Sequence, residues 1–169
     1  MERSCLPPAY DRASLLNCRL FFSLLPLLFV GCDVPNKPLP YPLTISEEGL
    51  GALHADTPFN QVNTTLSGFE FEKLSQVSPD KPEMIFQMKR GKHILAHIVS
   101  DSSGKKIASI HILSPLIKNK ERLGLGDCLP SNETTICTED LCHRQNEPSL
   151  NYRIDPNQRT IREITYQKL

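Results

Sequence analysis

The sequence predicts an α+β fold: a single small domain in which an antiparallel sheet meander carries one short packed helix and ends in a C-terminal hairpin. Three observations support this fold class. Apolar and polar residues alternate over several short stretches that turn-forming residues separate, as in half-buried strands. Apolar residues at helical spacing form one short stretch. The 137 residues after position 32 are enough for one hydrophobic core and too few for two.

The first predicted elements are a strand and a helix. Leu43–Ser46 alternates and is closed by a turn at Gly49–Gly51. Thr57 and Pro58 predict a helix start, with the threonine as N-cap and the proline at the first helical position. Apolar residues at helical spacing follow: Phe59, Val62 and Leu66. Gly68 is placed to end this helix, which is too short to be stable alone and must therefore pack on a sheet.

Alternation next predicts four strands: Phe69–Glu72, Met84–Met88, His93–Ser100 and Ile107–Ser114. The last three are joined by turns at Lys89–Lys92 and Asp101–Lys106, and they form an antiparallel meander. The chain closes with a hairpin of Leu150–Asp155 and Thr160–Tyr166.

Alternation also predicts the two faces of the strand at His93–Ser100. Ile94 should share one face with Ala96 and Ile98, and Leu95 should share the other face with His97. Both faces are partly apolar, which favours a central strand with a second layer against at least one side.

An apolar run precedes the domain. Residues 20–30, LFFSLLPLLFV, follow Arg12 and Arg19 and end at Gly31 and Cys32. A membrane-spanning helix needs about 20 apolar residues, so this run predicts an export signal instead. Its end, Phe29–Cys32, resembles the bacterial lipobox, in which the cysteine becomes the new, acylated N-terminus.

The chain is therefore divided into a signal peptide at 1–31, a lipidated Cys32 with a proline-rich tether up to residue 42, and a domain at 43–169. The long stretch before the apolar run fits an over-extended start. The other interpretation is an uncleaved or secreted form in which Cys32 is an ordinary thiol. Four prolines in residues 33–42 predict an extended tether that reaches roughly 30 Å at ~3.1 Å per residue.

Charge and lipid together predict where the protein lies. The chain has 19 basic and 19 acidic residues, and removal of residues 1–31 leaves 16 and 17. This balance argues against nucleic-acid binding and against a polybasic lipid-binding surface. Membrane attachment should therefore come from lipid on Cys32, in the cell envelope and facing the periplasm. Asp33 weakly favours the inner membrane, as it does in enterobacterial lipoproteins.

Three cysteines lie in the predicted domain: Cys128, Cys137 and Cys142. In an oxidising periplasm one pair is expected to close, and composition leaves open which pair. A zinc site that adds His143 lacks the paired spacing of structural zinc sites. A nucleophilic Cys137 with His143 as base lacks a recognisable orienting group or oxyanion hole. The sequence thus predicts no catalytic residue, no metal and no cofactor.

Two pairs of histidines are candidates for a shared metal ion, and strand geometry distinguishes between them. His93 and His97 are four residues apart, which on a strand separates them by ~13 Å, so they cannot share an ion. His97 and His111 can lie directly or diagonally opposite across a hairpin. A two-histidine surface site therefore stays open beside ordinary solvent-facing histidines.

The stretch ISEEGLGALHADTPFNQ, Ile45–Gln61, resembles the RpoE-regulated lipoprotein family of proteobacteria, as do the lipobox, the meander and the tail with Cys128, Cys142 and Tyr152. The resemblance implies a disulfide between Cys128 and Cys142 that leaves Cys137 free. It also implies expression in the envelope stress response, and it brings no established activity.

The resulting hypothesis is a non-enzymatic envelope lipoprotein that binds a periplasmic partner protein or an envelope component. The alternative is a periplasmic inhibitor that resembles the lipoprotein lysozyme inhibitors, which also combine a lipobox with a compact disulfide-closed β domain. A cysteine-dependent enzyme ranks third.

Overall fold

The computed structural model describes residues 43–74 and 83–168, all of which belong to one unit of the chain, residues 39–169. The signal, Cys32 and the tether lie outside the described residues, and so does the loop with Pro79 and Pro82. Within the described ranges, no helix is both long and apolar enough to cross a membrane.

The described chain contains eleven strands and one short helical segment. In chain order the elements are β1 (Thr44–Ser46), β2 (Gly49–Leu50), a 3-10 turn (Phe59–Gln61) continuing into α1 (Val62–Thr65), β3 (Glu70–Leu74), β4 (Ile85–Arg90), β5 (His93–Ser100), β6 (Ile107–Ile112), β7 (Lys118–Asn119), β8 (Thr135–Thr138), β9 (Leu141–Arg144), β10 (Glu147–Ile154) and β11 (Ile161–Gln167).

Eight of these strands form one large antiparallel sheet in the order β3-β4-β5-β6-β11-β10-β9-β8. The predicted meander and the predicted final hairpin are both confirmed as parts of it. The two halves join where β6 pairs with β11, with Ile112 opposite Ile164. The fold is mainly β, and its sheet is larger than the predicted meander because a further hairpin, β8–β9, extends it.

A second, three-stranded sheet has the order β2-β1-β7, and its β1–β7 pair is parallel. It shares one core with the large sheet. Phe59 stacks on Phe86 of β4 with ring centroids 4.9 Å apart, and the Ala55 N–H donates to the Tyr166 hydroxyl at 3.4 Å. These contacts place the segment between β1 and α1 against one face of the large sheet, as expected for a short helix that needs support.

The core lies between these two layers. Its largest fully buried side chains are Tyr152, Phe59, Ile45, Leu50, Leu53, Met88, Leu95, Ile98, Ile110, Ile112, Ile117 and Leu129. Half of these twelve side chains come from strands of the large sheet, and alternate residues such as Ile110 and Ile112 reflect its one buried face.

A β-bulge in β5 breaks the predicted alternation. Met88 pairs with Ala96 while its neighbour Lys89 pairs with Ile94, so Leu95 is the extra residue. Leu95 and Ala96 are therefore both buried, whereas Ile94 is 42% exposed. The predicted placements of Ile94 and Leu95 are wrong for this reason, since a bulge shifts the side-chain phase by one residue.

The predicted helix cap is also wrong. The Thr57 hydroxyl accepts a hydrogen bond from the preceding His54 N–H at 3.1 Å instead of capping the following turn. Pro58 is the residue that precedes the 3-10 turn, and it makes no side-chain cap. Gly68 adopts φ 87°, but the helix has already ended at Thr65.

Candidate functional site

The face of the large sheet that points away from the core carries a row of side chains, one from each of seven neighbouring strands. The register places them directly opposite one another from β3 to β9. This open-face row consists of Glu72, Gln87, His97, His111, Thr165, Asn151 and His143. Its members are half-buried or exposed, so the described chain offers this face to solvent or to a partner.

His97 and His111 lie at the centre of the open-face row. They are direct partners in the β5–β6 register, which decides between the two arrangements that the sequence left open. His93 starts β5 and is paired with Arg90, so it stands apart from this pair.

Hydrogen bonds hold the two imidazole rings toward different neighbours. His97 Nε2 lies 3.0 Å from the Gln87 amide nitrogen. His111 Nδ1 lies 3.3 Å from a Glu163 carboxylate oxygen, and its Nε2 lies 3.0 Å from the Ser109 hydroxyl. Because His97 turns toward β4 and His111 toward β11, the pair is a hydrogen-bonded surface rather than a preformed chelate.

Burial lowers the pKa of His97, and the nearby charge of His111 lowers it further. Both effects favour the neutral imidazole, which can donate a hydrogen bond through one ring nitrogen and accept one through the other.

A buried polar cluster, which the sequence analysis did not find, lies on the opposite side of the sheet. The Tyr152 hydroxyl donates to the Glu147 carboxylate at 2.7 Å, and the Asn119 amide donates to the Tyr152 hydroxyl at 3.1 Å. Arg144 Nη1 lies 3.4 Å from Glu147 and 2.7 Å from Glu121. Arg144, Glu147, Tyr152 and Asn119 are all buried. Each has at least one hydrogen bond or ion pair within the cluster, and among the described residues Arg144 Nε has no hydrogen-bond partner.

The environment of this cluster shifts two pKa values. Burial raises the pKa of the Tyr152 phenol, and the hydrogen bond to Glu147 raises it further. The hydrogen bond to Glu121 raises the pKa of the Arg144 guanidinium. Both groups are thus held in their protonated forms, and the cluster is suited to fixing structure rather than to moving a proton.

The cluster also contacts two side chains, Asn119 and Glu121, of the charged segment KNKER, residues 118–122. Asn119 is buried, and its Oδ1 accepts from the Glu121 and Leu123 N–H groups at 3.0 and 2.8 Å. The Glu121 side chain is 45% exposed and forms an ion pair with Arg144. The one carboxylate of the segment is therefore paired with an arginine from outside it.

These basic side chains line a surface cavity of about 570 Å³. Lys118, Lys120 and Arg122 supply its charge, and Leu43 and Leu116 supply apolar wall. The remaining described lining residues are uncharged, and none of them is a histidine or a cysteine. The described lining therefore offers no acid–base or nucleophilic pair, although the cavity has the volume of a small-ligand site.

The cysteines pair differently from the implied bond. Cys137 and Cys142 form a disulfide and face each other across the β8–β9 hairpin, with Cα atoms 4.0 Å apart. The predicted Cys128–Cys142 bond is therefore wrong, because the hairpin brings Cys137 directly opposite Cys142. Cys128 lies elsewhere, at an isolated bridge to Thr160.

This disulfide bears on the other cysteine hypotheses. Cys137 is not a thiol in this state, and His143 is the cross-strand partner of Ile136. Neither the nucleophile–base pair nor the zinc site of the sequence analysis is assembled. Across residues 43–74 and 83–168, no three His, Cys, Asp or Glu side chains are grouped to hold a metal ion.

No protein-family model matches the sequence, and no curated protein matches it either. Among solved structures, the fold is similar to the crystal structure of the uncharacterized protein yfeY from Escherichia coli, with a TM-score of 0.57 and 15% sequence identity. The match covers 73% of this chain and 99% of that chain. At this identity the likeness shows a shared fold alone.

Proposed function

We propose that the chain is a lipoprotein of the bacterial cell envelope, anchored through Cys32, facing the periplasm and acting by binding a partner protein or envelope component. The proposal places it in the RpoE-regulated lipoprotein family. The yfeY-like fold and the sequence resemblance are both consistent with this assignment.

The Cys137–Cys142 disulfide is the observation that carries the export part of the proposal. Disulfides persist in oxidising compartments such as the periplasm and are rare in the cytosol. The bond therefore fits the export signal predicted at residues 20–32, which lies outside the described residues.

Binding is favoured over catalysis by how the reactive side chains are used. Cys137 is oxidised, the Tyr152 and Glu147 side chains are hydrogen-bonded to each other, and the described lining of the cavity lacks an acid–base pair. The open face combines the polar row with exposed apolar residues, including Leu113 and Leu141 at 43% exposure each. A half-polar, half-apolar sheet face of this kind suits protein contact.

The anchor is tested by expressing the full chain in a bacterium with labelled palmitate. The wild-type chain should incorporate label and fractionate with membranes, and Cys32→Ala should lose both. Cys18→Ala is the matched control, because it removes a cysteine upstream of the cleavage box and should change neither. Retention of label in Cys32→Ala, or no label in the wild type, would refute the lipid anchor at Cys32.

The binding role is tested against the inhibitor alternative with the purified protein. Lysozyme should keep its activity in the presence of the chain, and stoichiometric inhibition would replace the proposal by the inhibitor alternative. For the partner itself, photo-crosslinkers at Leu113 and Leu141 should yield one adduct of the same mass in cells, whereas one at Ser67 in the turn after α1 should not. An adduct from Ser67 alone would place the interface elsewhere.

A further inference from the structure

We propose that the cavity lined by Lys118, Lys120 and Arg122 binds the phosphate-bearing headgroup of an anionic phospholipid and so seats the domain on the membrane that holds its anchor. The inference rests on the proposed function, since it takes the membrane as the surface within reach. The domain would then be attached to the membrane twice, by the lipid on Cys32 and by this electrostatic contact.

Charge complementarity is the first support. Three cationic side chains line the cavity, and none of its described lining residues is a carboxylate. Lys118 is ion-paired with Asp127, whereas Lys120 and Arg122 have no ion pair among the described residues and are exposed. Lys120 and Arg122, which lie in one loop, thus remain to bind an anionic ligand.

The buried cluster explains why this charge is not cancelled. Glu121, the carboxylate between Lys120 and Arg122 in sequence, is held 2.7 Å from the buried Arg144. The segment has three basic residues and one acidic residue, and its one carboxylate is already paired with Arg144. A protein of nearly neutral total charge can hold a local anion site in this way.

The position of the tether is the second support. Leu43, which lines the cavity, directly follows the proline-rich residues 33–42 that connect the domain to Cys32. Ten residues of extended chain reach roughly 30 Å at most. The cavity is thus within tether length of the headgroups, which raises the local concentration of its ligand.

The apolar wall favours a lipid over a free anion. Leu43 and Leu116 border the cavity, and Leu116 is 43% exposed. A headgroup with its glycerol backbone offers both a phosphate and an apolar portion, whereas inorganic phosphate offers only charge.

The test uses the full lipidated chain, reconstituted in vesicles of phosphatidylcholine alone or of an equal mixture with phosphatidylglycerol. Amide hydrogen exchange over residues 116–124 should be slower on the anionic vesicles. High salt should remove this difference, because exposed charges are screened within ~3 Å at 1 M salt. Equal exchange on both vesicles would overturn the proposal.

Matched variants separate the site from general surface charge. Lys120→Gln and Arg122→Gln should each lower the equilibrium constant for seating the domain on anionic vesicles about fivefold. This is the effect expected for removing one cation near an anionic surface. Lys92→Gln and Lys105→Gln, exposed lysines in the β4–β5 and β5–β6 turns, remove the same charge elsewhere and should have no effect. Equal effects of all four variants would refute a specific site.

Two further outcomes identify other causes. If inorganic phosphate alone slows exchange over residues 116–124 on phosphatidylcholine vesicles as much as the anionic lipid does, the ligand is a soluble phosphate and the membrane contact is refuted. If the chain fails to stay on either vesicle, the lipid anchor has failed, which is distinct from a chain that stays on both with identical exchange.

Discussion

Replacement of Tyr152 by phenylalanine should destabilise the protein far more than the same change at Tyr166. Both side chains are buried in adjacent central strands, so both substitutions remove one hydroxyl from the core. They differ in the partner of that hydroxyl. Tyr152 donates to the Glu147 carboxylate at 2.7 Å, whereas Tyr166 accepts from the uncharged Ala55 N–H at 3.4 Å.

The magnitudes follow from these partners. A hydrogen bond to a charged group contributes roughly 1.5–3 kcal/mol, and a neutral one roughly 0.5–1.5 kcal/mol. Tyr152→Phe also removes the acceptor that the Asn119 amide uses at 3.1 Å. We therefore expect the free energy of unfolding to fall by about 2–3 kcal/mol for Tyr152→Phe and by less than about 1 kcal/mol for Tyr166→Phe.

Urea unfolding measures both losses. With a slope of about 1–3 kcal/mol per molar urea, the midpoint should fall by roughly 1 M for Tyr152→Phe and by a fraction of that for Tyr166→Phe, with the slope unchanged. A larger loss at Tyr166, or no loss at Tyr152, would refute the claim that the buried carboxylate cluster carries more stability than an ordinary buried hydroxyl.

Three other expectations follow from described contacts. The raised pKa of Tyr152 contributes stability that is fully present below about pH 10, the pKa of the unfolded tyrosine, and is lost as pH rises above it. Urea midpoints measured at increasing pH above about 10 should therefore fall less in Tyr152→Phe than in the wild type. Replacing Cys137 and Cys142 together by serine should lower the free energy of unfolding by about 2 kcal/mol in the chain-entropy model, and a thermal unfolding midpoint that matches the wild type would contradict it. Gly49→Ala should lower the free energy of unfolding by about 2 kcal/mol or more, since φ is 137° and an added Cβ would lie 1.9 Å from a main-chain oxygen. Gly91→Ala, with open space around it, should lower it by about 1 kcal/mol. Equal unfolding midpoints for these two variants would show that the close approach at Gly49 is relieved.

Alternation in the sequence predicted much of the large sheet because its strands are long and amphipathic. The meander of β4, β5 and β6 and the hairpin of β10 and β11 were found in this way. The β8–β9 hairpin was missed because its strands have four residues each and their side chains are largely exposed and polar. Such strands are defined by their neighbour in the sheet rather than by their own pattern.

Residues that depend on distant partners could not be predicted. β7 consists of Lys118 and Asn119, which resemble a surface loop until the parallel pairing with β1 is known. Arg144 and Glu147 likewise have the composition of solvent-facing residues, and their burial follows only from each other and from Tyr152. The one available signal was Tyr152 itself, which alternates in phase with Leu150 and Ile154 and so belongs to the buried face.

The candidate sites divide in the same way. His97 and His111 were singled out because a short hairpin makes their pairing a local property. The cavity was not, since a mixed-charge segment gives no sign that Arg144, far along the chain, will pair with its carboxylate. The disulfide was mispaired because the hairpin that brings Cys137 opposite Cys142 was itself missed.

The strand order of the large sheet divides its assembly into local steps and one distant step. Within β3–β6 and within β8–β11, each strand pairs with its neighbours in sequence, so each half can form from its own turns. The halves meet at one seam, where β6 pairs with β11 and brings together Ile112 and Ile164, which are 52 positions apart in the sequence. Loop closure grows costlier with chain separation, so we expect the seam to form last and to set the folding rate. A newly synthesised chain would then expose the unpaired edges of β6 and β11 until the two halves dock, and during that interval association between copies competes with folding.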